Sequence, residues 1–407
     1  MNILNKIAKY DRIITNILSL LSIIMASILL VRMSDTWSMN VSIKNRYKQL
    51  ESESEQYLML LNEMRSMYET DAINDYEFNS DIALKLFAYS LNDKYASYFS
   101  PNEAKISSLN YQGEGHGIGV KVAYYEDFGL KIVKIFNNSS ADKAGLKIGD
   151  YIVSVDGVDY ADVGYEAMIE RLRGNIGDIK KITVYRDGTL IDIDVKIEIY
   201  ELETVSYKFQ EDIPVISIDS FVKNTDEAFI KTINELVGLG CNKFIIDLRN
   251  NTGGYAETSA NMVDRIVGKG LIVELRNKNN EILEKYESDS KEVDGKFVIL
   301  TNGMTASASE MFIQALKDYD KAVTVGTKTY GKGSTLITRE LANGGQFTYT
   351  NGIYRTKSGR ELEGNGIEPD FKVEIPDEVN KSISGLTYDE DTQLQKAIEV
   401  IKSYEKQ

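Results

Sequence analysis

The sequence predicts an α/β core in its carboxyl-terminal half, a smaller β-rich domain ahead of it, and a helical lead-in that follows one helix of membrane-spanning length. Three observations carry this. Beyond residue 200, short apolar strands alternate with amphipathic helices, the signature of α/β units on a largely parallel sheet. Between about residues 113 and 199, short strands and glycine turns dominate instead. Near the start, Ile13 to Val31 form an uncharged, mostly apolar run of 19 residues, enough to cross a bilayer as a helix.

The totals limit the field. At 407 residues the chain should hold about two or three folded units. A net charge of −15 argues against a phosphate-binding surface, so no nucleic-acid partner is expected. One cysteine, Cys241, and one histidine, His116, exclude a disulfide framework and a His/Cys zinc site; no metal or cofactor is expected. Cys241 precedes the apolar "KFIIDLR" and reads as packed beside a strand.

From the amino terminus, residues 1–12 carry Lys6, Lys9 and Arg12 ahead of the apolar run 13–31. That places the amino terminus in the cytoplasm and the bulk of the chain outside the cell membrane. No A-x-A-like site follows Val31, so an uncleaved single-pass anchor is expected. Within the helical region 32–104, Ile43, Tyr47, Leu50, Ser54, Tyr57, Leu61, Met64 and Tyr68 recur at spacings of four and three. Such a seam suits either pairing with a second copy, giving a homodimer, or docking on the chain's own body.

The β-rich domain, residues 105–199, reads as strand "LKIVKIF", a short helix ending near Gly145, strand "YIVSVDG", a helix stopped at Gly174, and a hairpin turning at Asp187-Gly188. The core, 200–380, contains the strands "PVISIDSF", "KFIIDLRN", "KFVILTNG" and "AVTVGT", and a last helix belongs to 381–407. Parallel strands gather their carboxyl ends at one edge, where sites form. The loops Asn250 to Gly254 and Thr301 to Ser307 both leave strands there.

Ser307 and Glu310 have capping-box spacing. A serine at a helix start also sits beside unpaired N–H groups that favour negative charge, so an oxyanion would find the N–H of Ala308 nearby. A nucleophilic serine needs a base. His116 is remote in sequence, whereas Lys332, framed by glycines 25 residues after Ser307, can serve if burial lowers its pKa. Gly326, Gly331 and Lys332 fit part of a phosphate-binding loop, but Gly333 stands where a metal-binding hydroxyl is needed and "STLITREL" reads as strand. In "DLRNNTGGYAE" the glycines permit a tight turn, or a second oxyanion donor.

These segments, "LTNGMTASASEMFIQALKD", "VGTKTYGKGS", "IIDLRNNTGG" and "YRTKSGRELEGNGIEPD", resemble in order and spacing the hallmark motifs of the C-terminal processing, or tail-specific, peptidases. "AGLKIGDYIVSVDG" resembles their PDZ domain, and the likeness runs from about Met67 to Ile401. The resemblance implies a crotonase-like core sheet and a serine endopeptidase with a Ser-Lys dyad: Ser307 as nucleophile, Lys332 as base, and Ala308 with Gly253 or Gly254 as oxyanion donors. It implies a PDZ domain that captures apolar carboxyl-terminal tails of protein substrates at Gly117, Ile118, Gly119 and Val120, and that gates the active site. His116 beside this loop is expected to be exposed. The family glutamine four residues after the lysine is replaced by Leu336, for which Ser334 or Thr335 would substitute. That departure leaves a second reading open, a catalytically silent scaffold of the same fold that binds tails.

Overall fold

The computed structural model describes residues 80–125, 129–289, 292–376, 379 and 383–403. The apolar run 13–31 and the seam 43–68 lie outside the described residues, among which no helix is long and apolar enough to cross a membrane.

The chain divides into two units. One holds residues up to Pro101 together with Thr338–Tyr349. Here the helix Ser80–Ser90 leads to the strand Ser97–Phe99, which pairs antiparallel with residues 346–348. Tyr98 donates its hydroxyl to Asp81 across this unit at 2.6 Å.

The other unit contains both the β-rich domain and the core. The helix Pro101–Tyr111 spans the boundary drawn from sequence at 104/105. Strands Val120–Tyr125, Gly129–Ile135, Tyr151–Val155, Ile179–Arg186 and Thr189–Lys196 form an antiparallel sheet in that order. Its hairpin turns at Asp187 (φ 48°) and Gly188 (φ 82°), two consecutive positive-φ residues as a type I′ turn requires. Gly145, at φ 82°, caps the short helix Ser140–Ala144. The sheet closes over Leu130, Ile132, Ile152, Met168, Ile182 and Val184, all fully buried.

His116 corrects an expectation. It lies in the strand Glu114–Gly117, paired with Glu198–Glu201, and is half-buried rather than exposed in a loop. Burial, with a smaller contribution from Lys105, holds its pKa below the usual imidazole value.

In the core, strands Val205–Gln210, Ile213–Ile218, Lys243–Asp247, Lys296–Thr301, Ala322–Gly326 and Phe371–Lys372 lie side by side in that order; the first pair is antiparallel and the rest are parallel. Side chains alternate between faces. Ile216, Phe244, Ile246, Phe297 and Ile299 pack against residues of the helices Thr225–Gly238, Ala256–Asp264 and Ala308–Asp318. Val215, Ile245, Val298 and Leu300 pack on the other face against Leu394, Ala397, Ile398 and Ile401 of the helix Thr392–Ser403. Strands covered on both faces read as continuous apolar runs, which is why they were legible. Phe229, Phe244, Phe297 and Phe312 are fully buried, each contributing about 1.5–3 kcal/mol of burial.

Candidate active site

The parallel strands deliver two loops to the same edge, and the loops meet. Asn302 accepts from Asn250 N–H at 3.0 Å and donates back to Asn250 Oδ1 at 2.7 Å. Thr305 donates its hydroxyl to Leu248 O at 2.9 Å, while its carbonyl accepts from Tyr330 N–H at 3.0 Å. One threonine therefore ties the Asn250 loop, the serine loop and the lysine loop. Beneath them Arg249 forks onto Asp247 and onto Asp391 at the start of the last helix. Burial would lower the pKa of this guanidinium, but the two carboxylates prevail and hold it above its usual value, so the charge stays paired.

Ser307 occupies the turn from the strand Lys296–Thr301 into the helix Ala308–Asp318, with φ 58° and ψ −119° and only 8% exposure. A non-glycine residue there costs roughly 1–3 kcal/mol and persists only where its surroundings impose it. Such a strained strand-to-helix turn resembles the elbow that presents a serine nucleophile in α/β-hydrolases.

What imposes it is Glu310, which is fully buried. Its Oε2 accepts from Ser307 N–H at 3.0 Å and from Lys332 N–H at 2.8 Å. Its Oε1 accepts from Gly331 N–H at 2.8 Å and from the Thr329 hydroxyl. An ionised carboxylate offers about four acceptor sites, and these four donors occupy them. A single oxygen thus bridges the main chain of the serine and of the lysine. Spacing to Ser307 identified Glu310 as a capping partner only; its grip on the lysine loop, 19 to 22 residues onward, leaves no local signature.

The glycine turn closes on the elbow. A Cβ at Gly253 (φ 103°) would stand 2.9 Å from Ala308 N and 2.8 Å from Ala306 O, so only glycine fits. Gly253 N–H donates to Asn251 Oδ1 at 2.9 Å, whereas the N–H groups of Gly254 and Ala308 have no acceptor among the described residues. Lys332 is half-buried between Gly331 and Gly333; a Cβ at Gly333 would meet Glu363 N at 2.3 Å. Leu336 is half-buried. Of its two expected substitutes, Thr335 donates to Asn351 Oδ1 at 2.7 Å, while the Ser334 hydroxyl is buried with no hydrogen bond among the described residues.

In the β-rich domain, Gly117 (φ 147°) ends one strand and Val120 begins the next. Ile118 O accepts from Ala141 N–H and Gly119 O from Phe136 N–H, so both carbonyls are engaged, while the N–H groups of Ile118 and Gly119 have no acceptor among the described residues.

Residues 212–373 match the model of peptidase family S41, and residues 116–197 match the model of a PDZ domain. A Staphylococcus saprophyticus protein named a probable CtpA-like serine protease is 32% identical over 289 residues, which are 70% of this chain and 59% of that protein. A carboxy-terminal-processing protease of Bartonella bacilliformis is 29% identical over 341 residues, covering 82% of this chain and 77% of its own length. The chain spans about three-fifths of the staphylococcal relatives it matches. A solved Bacteroides fragilis protein described as an S41 protease shares the fold, with TM-score 0.56 and 17% identity over 81% of this chain and 92% of that one. The motif order and the family-model matches agree: residues 212–373 form a region of peptidase family S41, following a PDZ domain at 116–197.

Proposed function

We propose that the protein is a serine endopeptidase that recognises the carboxyl-terminal tail of protein substrates through its PDZ domain and cleaves them with a Ser307–Lys332 dyad. The observation that carries this reading is the shared Glu310 oxygen, which holds the main chain of both dyad residues in one buried network. Ser307 Oγ attacks the scissile carbonyl carbon while Lys332 Nζ takes the hydroxyl proton. The developing oxyanion accepts from the N–H of Ala308 and from the glycine turn, where Gly254 rather than Gly253 has the unengaged N–H. Collapse of the tetrahedral adduct breaks the C–N bond as Lys332 returns the proton to the leaving amine, and water then hydrolyses the acyl-enzyme. Met304 and Tyr330, 55% and 56% exposed on the serine and lysine loops, give the site an apolar rim suited to apolar substrate residues.

In the PDZ domain, the unengaged N–H groups of Ile118 and Gly119 bind the terminal carboxylate while the substrate tail adds as a strand. The run Ile13 to Val31 anchors the chain in the membrane with the peptidase outside. The test is hydrolysis of an unstructured protein with an apolar carboxyl-terminal tail by the full chain in detergent, followed by mass spectrometry beside Ser307→Ala and Lys332→Ala. Both variants are expected to lose at least about 10³-fold in kcat and to keep tail binding. Undiminished cleavage by Ser307→Ala would sink the reading. Tail binding without cleavage by the parent, restored in Leu336→Gln, would favour the silent scaffold.

A further inference from the structure

We infer that Asn251 is a positioning residue for the reaction, the clamp that sets the oxyanion-binding turn against the Ser307 elbow; this rests on the peptidase reading above. Asn251 is fully buried, and five hydrogen bonds use its main-chain and side-chain polar groups. Its N–H donates to Leu248 O at 3.2 Å and its Nδ2 to Ile218 O at 2.7 Å. Its Oδ1 accepts from Gly253 N–H at 2.9 Å, and its carbonyl from Ala306 N–H at 3.1 Å and the Ser309 hydroxyl at 2.9 Å.

A tight turn alone needs only the Oδ1 bond, since asparagine commonly bonds its own backbone two residues on. The other contacts reach outside the turn. Nδ2 ties it to the end of the strand Ile213–Ile218, and the carbonyl grips the residues on both sides of Ser307 and Ala308. The proposed donors, Gly254 and Ala308, come from separate loops. Each stands one or two residues from a group bonded to Asn251, so their mutual distance depends on this side chain and its carbonyl. By turning Gly253 N–H onto Oδ1, Asn251 also selects which glycine N–H remains to face an oxyanion. With all its polar groups engaged, it acts through its neighbours. Misplacement of a catalytic group by about 1 Å costs on the order of 10²-fold.

The test compares parent, Asn251→Ala, Asn251→Asp and Ser309→Ala in the full chain, using the apolar-tailed protein substrate and a matched pair of small ester and thionoester substrates. Asn251→Ala is expected to lower kcat about 10²-fold with KM changed less than about twofold, and to shrink the rate penalty for replacing the reacting carbonyl oxygen by sulfur. Asn251→Asp keeps the Gly253 bond but sets a carboxylate against Ile218 O, and should fall between. Ser309→Ala, which removes one bond to Asn251 O, is expected to lower kcat by about threefold with the same KM, and it carries the test should Asn251→Ala fail to fold. An unchanged kcat, a KM that rises in step with the loss, or an unaltered oxygen-to-sulfur ratio overturns the inference. These outcomes are scored on activity that Ser307→Ala abolishes; activity that survives Ser307→Ala instead overturns the peptidase reading, and the inference with it.

Discussion

The PDZ loop and the peptidase site solve a similar problem by different means. Among the described residues, each leaves two backbone N–H groups without an acceptor beside a positive-φ glycine: Ile118 and Gly119 in one, Gly254 and Ala308 in the other. The PDZ loop is braced mainly by bonds to its own carbonyls, from Ala141 N–H, Phe136 N–H and the Ser139 hydroxyl. The peptidase site is braced by buried polar side chains, Glu310, Asn251 and Thr305, each joining segments distant in the chain. Under the proposed function the contrast has a reason: recognition of a flexible tail tolerates a loop that adapts, whereas stabilising a transition state requires donors already in place.

That difference predicts where substitutions will hurt most. Glu310→Ala should have the largest effect, because it leaves four donors unpaired, three of them buried, and releases both the serine loop and the lysine loop. A loss of about 3–5 kcal/mol in unfolding free energy and of at least about 10²-fold in kcat is expected, read by chemical denaturation and peptide hydrolysis. Wild-type stability in this variant would break the contrast between the two braces. Gly119→Ala sharpens it from the other side. A Cβ there would lie 2.2 Å from that of Ser139, at φ 84°; tail-peptide affinity should fall about tenfold or more, while Ser307-dependent hydrolysis of a small ester is unchanged. Equal losses in both assays would mean that the loop serves the peptidase site directly.

Leu336→Gln should be milder, raising kcat by about tenfold or less by supplying a partner that orients Lys332; no gain would show that the leucine environment already suffices. The smallest effect concerns His116. Its folded-state pKa is depressed by burial, so the unfolded chain binds the extra proton first and stability declines as pH falls through about 6.5. Thermal melts of His116→Gln should lose less stability than the parent between about pH 7 and 5. Parallel pH profiles would refute a role for this imidazole.

How much was legible follows the range of each interaction. The parallel strands announced themselves because burial on both faces makes each an unbroken apolar run, as in "KFIIDL" and "KFVILT". Asp187-Gly188 announced its hairpin because two consecutive positive φ angles restrict the residue types allowed. Ser307 with Glu310 was visible as an i, i+3 pair, and the glycines around Lys332 as sites of close approach. Residue patterns of this local kind, together with the apolar run Ile13 to Val31, are what the sequence determined by itself. Tertiary structure alone decided that Glu310 would also hold Thr329 to Lys332, that Asn251 would reach Ile218 and Ala306, and that Gly253 rather than Gly254 would turn its N–H inward. The physical reason is that these hydrogen bonds join segments tens of residues apart or choose between adjacent N–H groups; they impose no periodicity on the chain and exist only once the sheet has brought its strand ends to one edge.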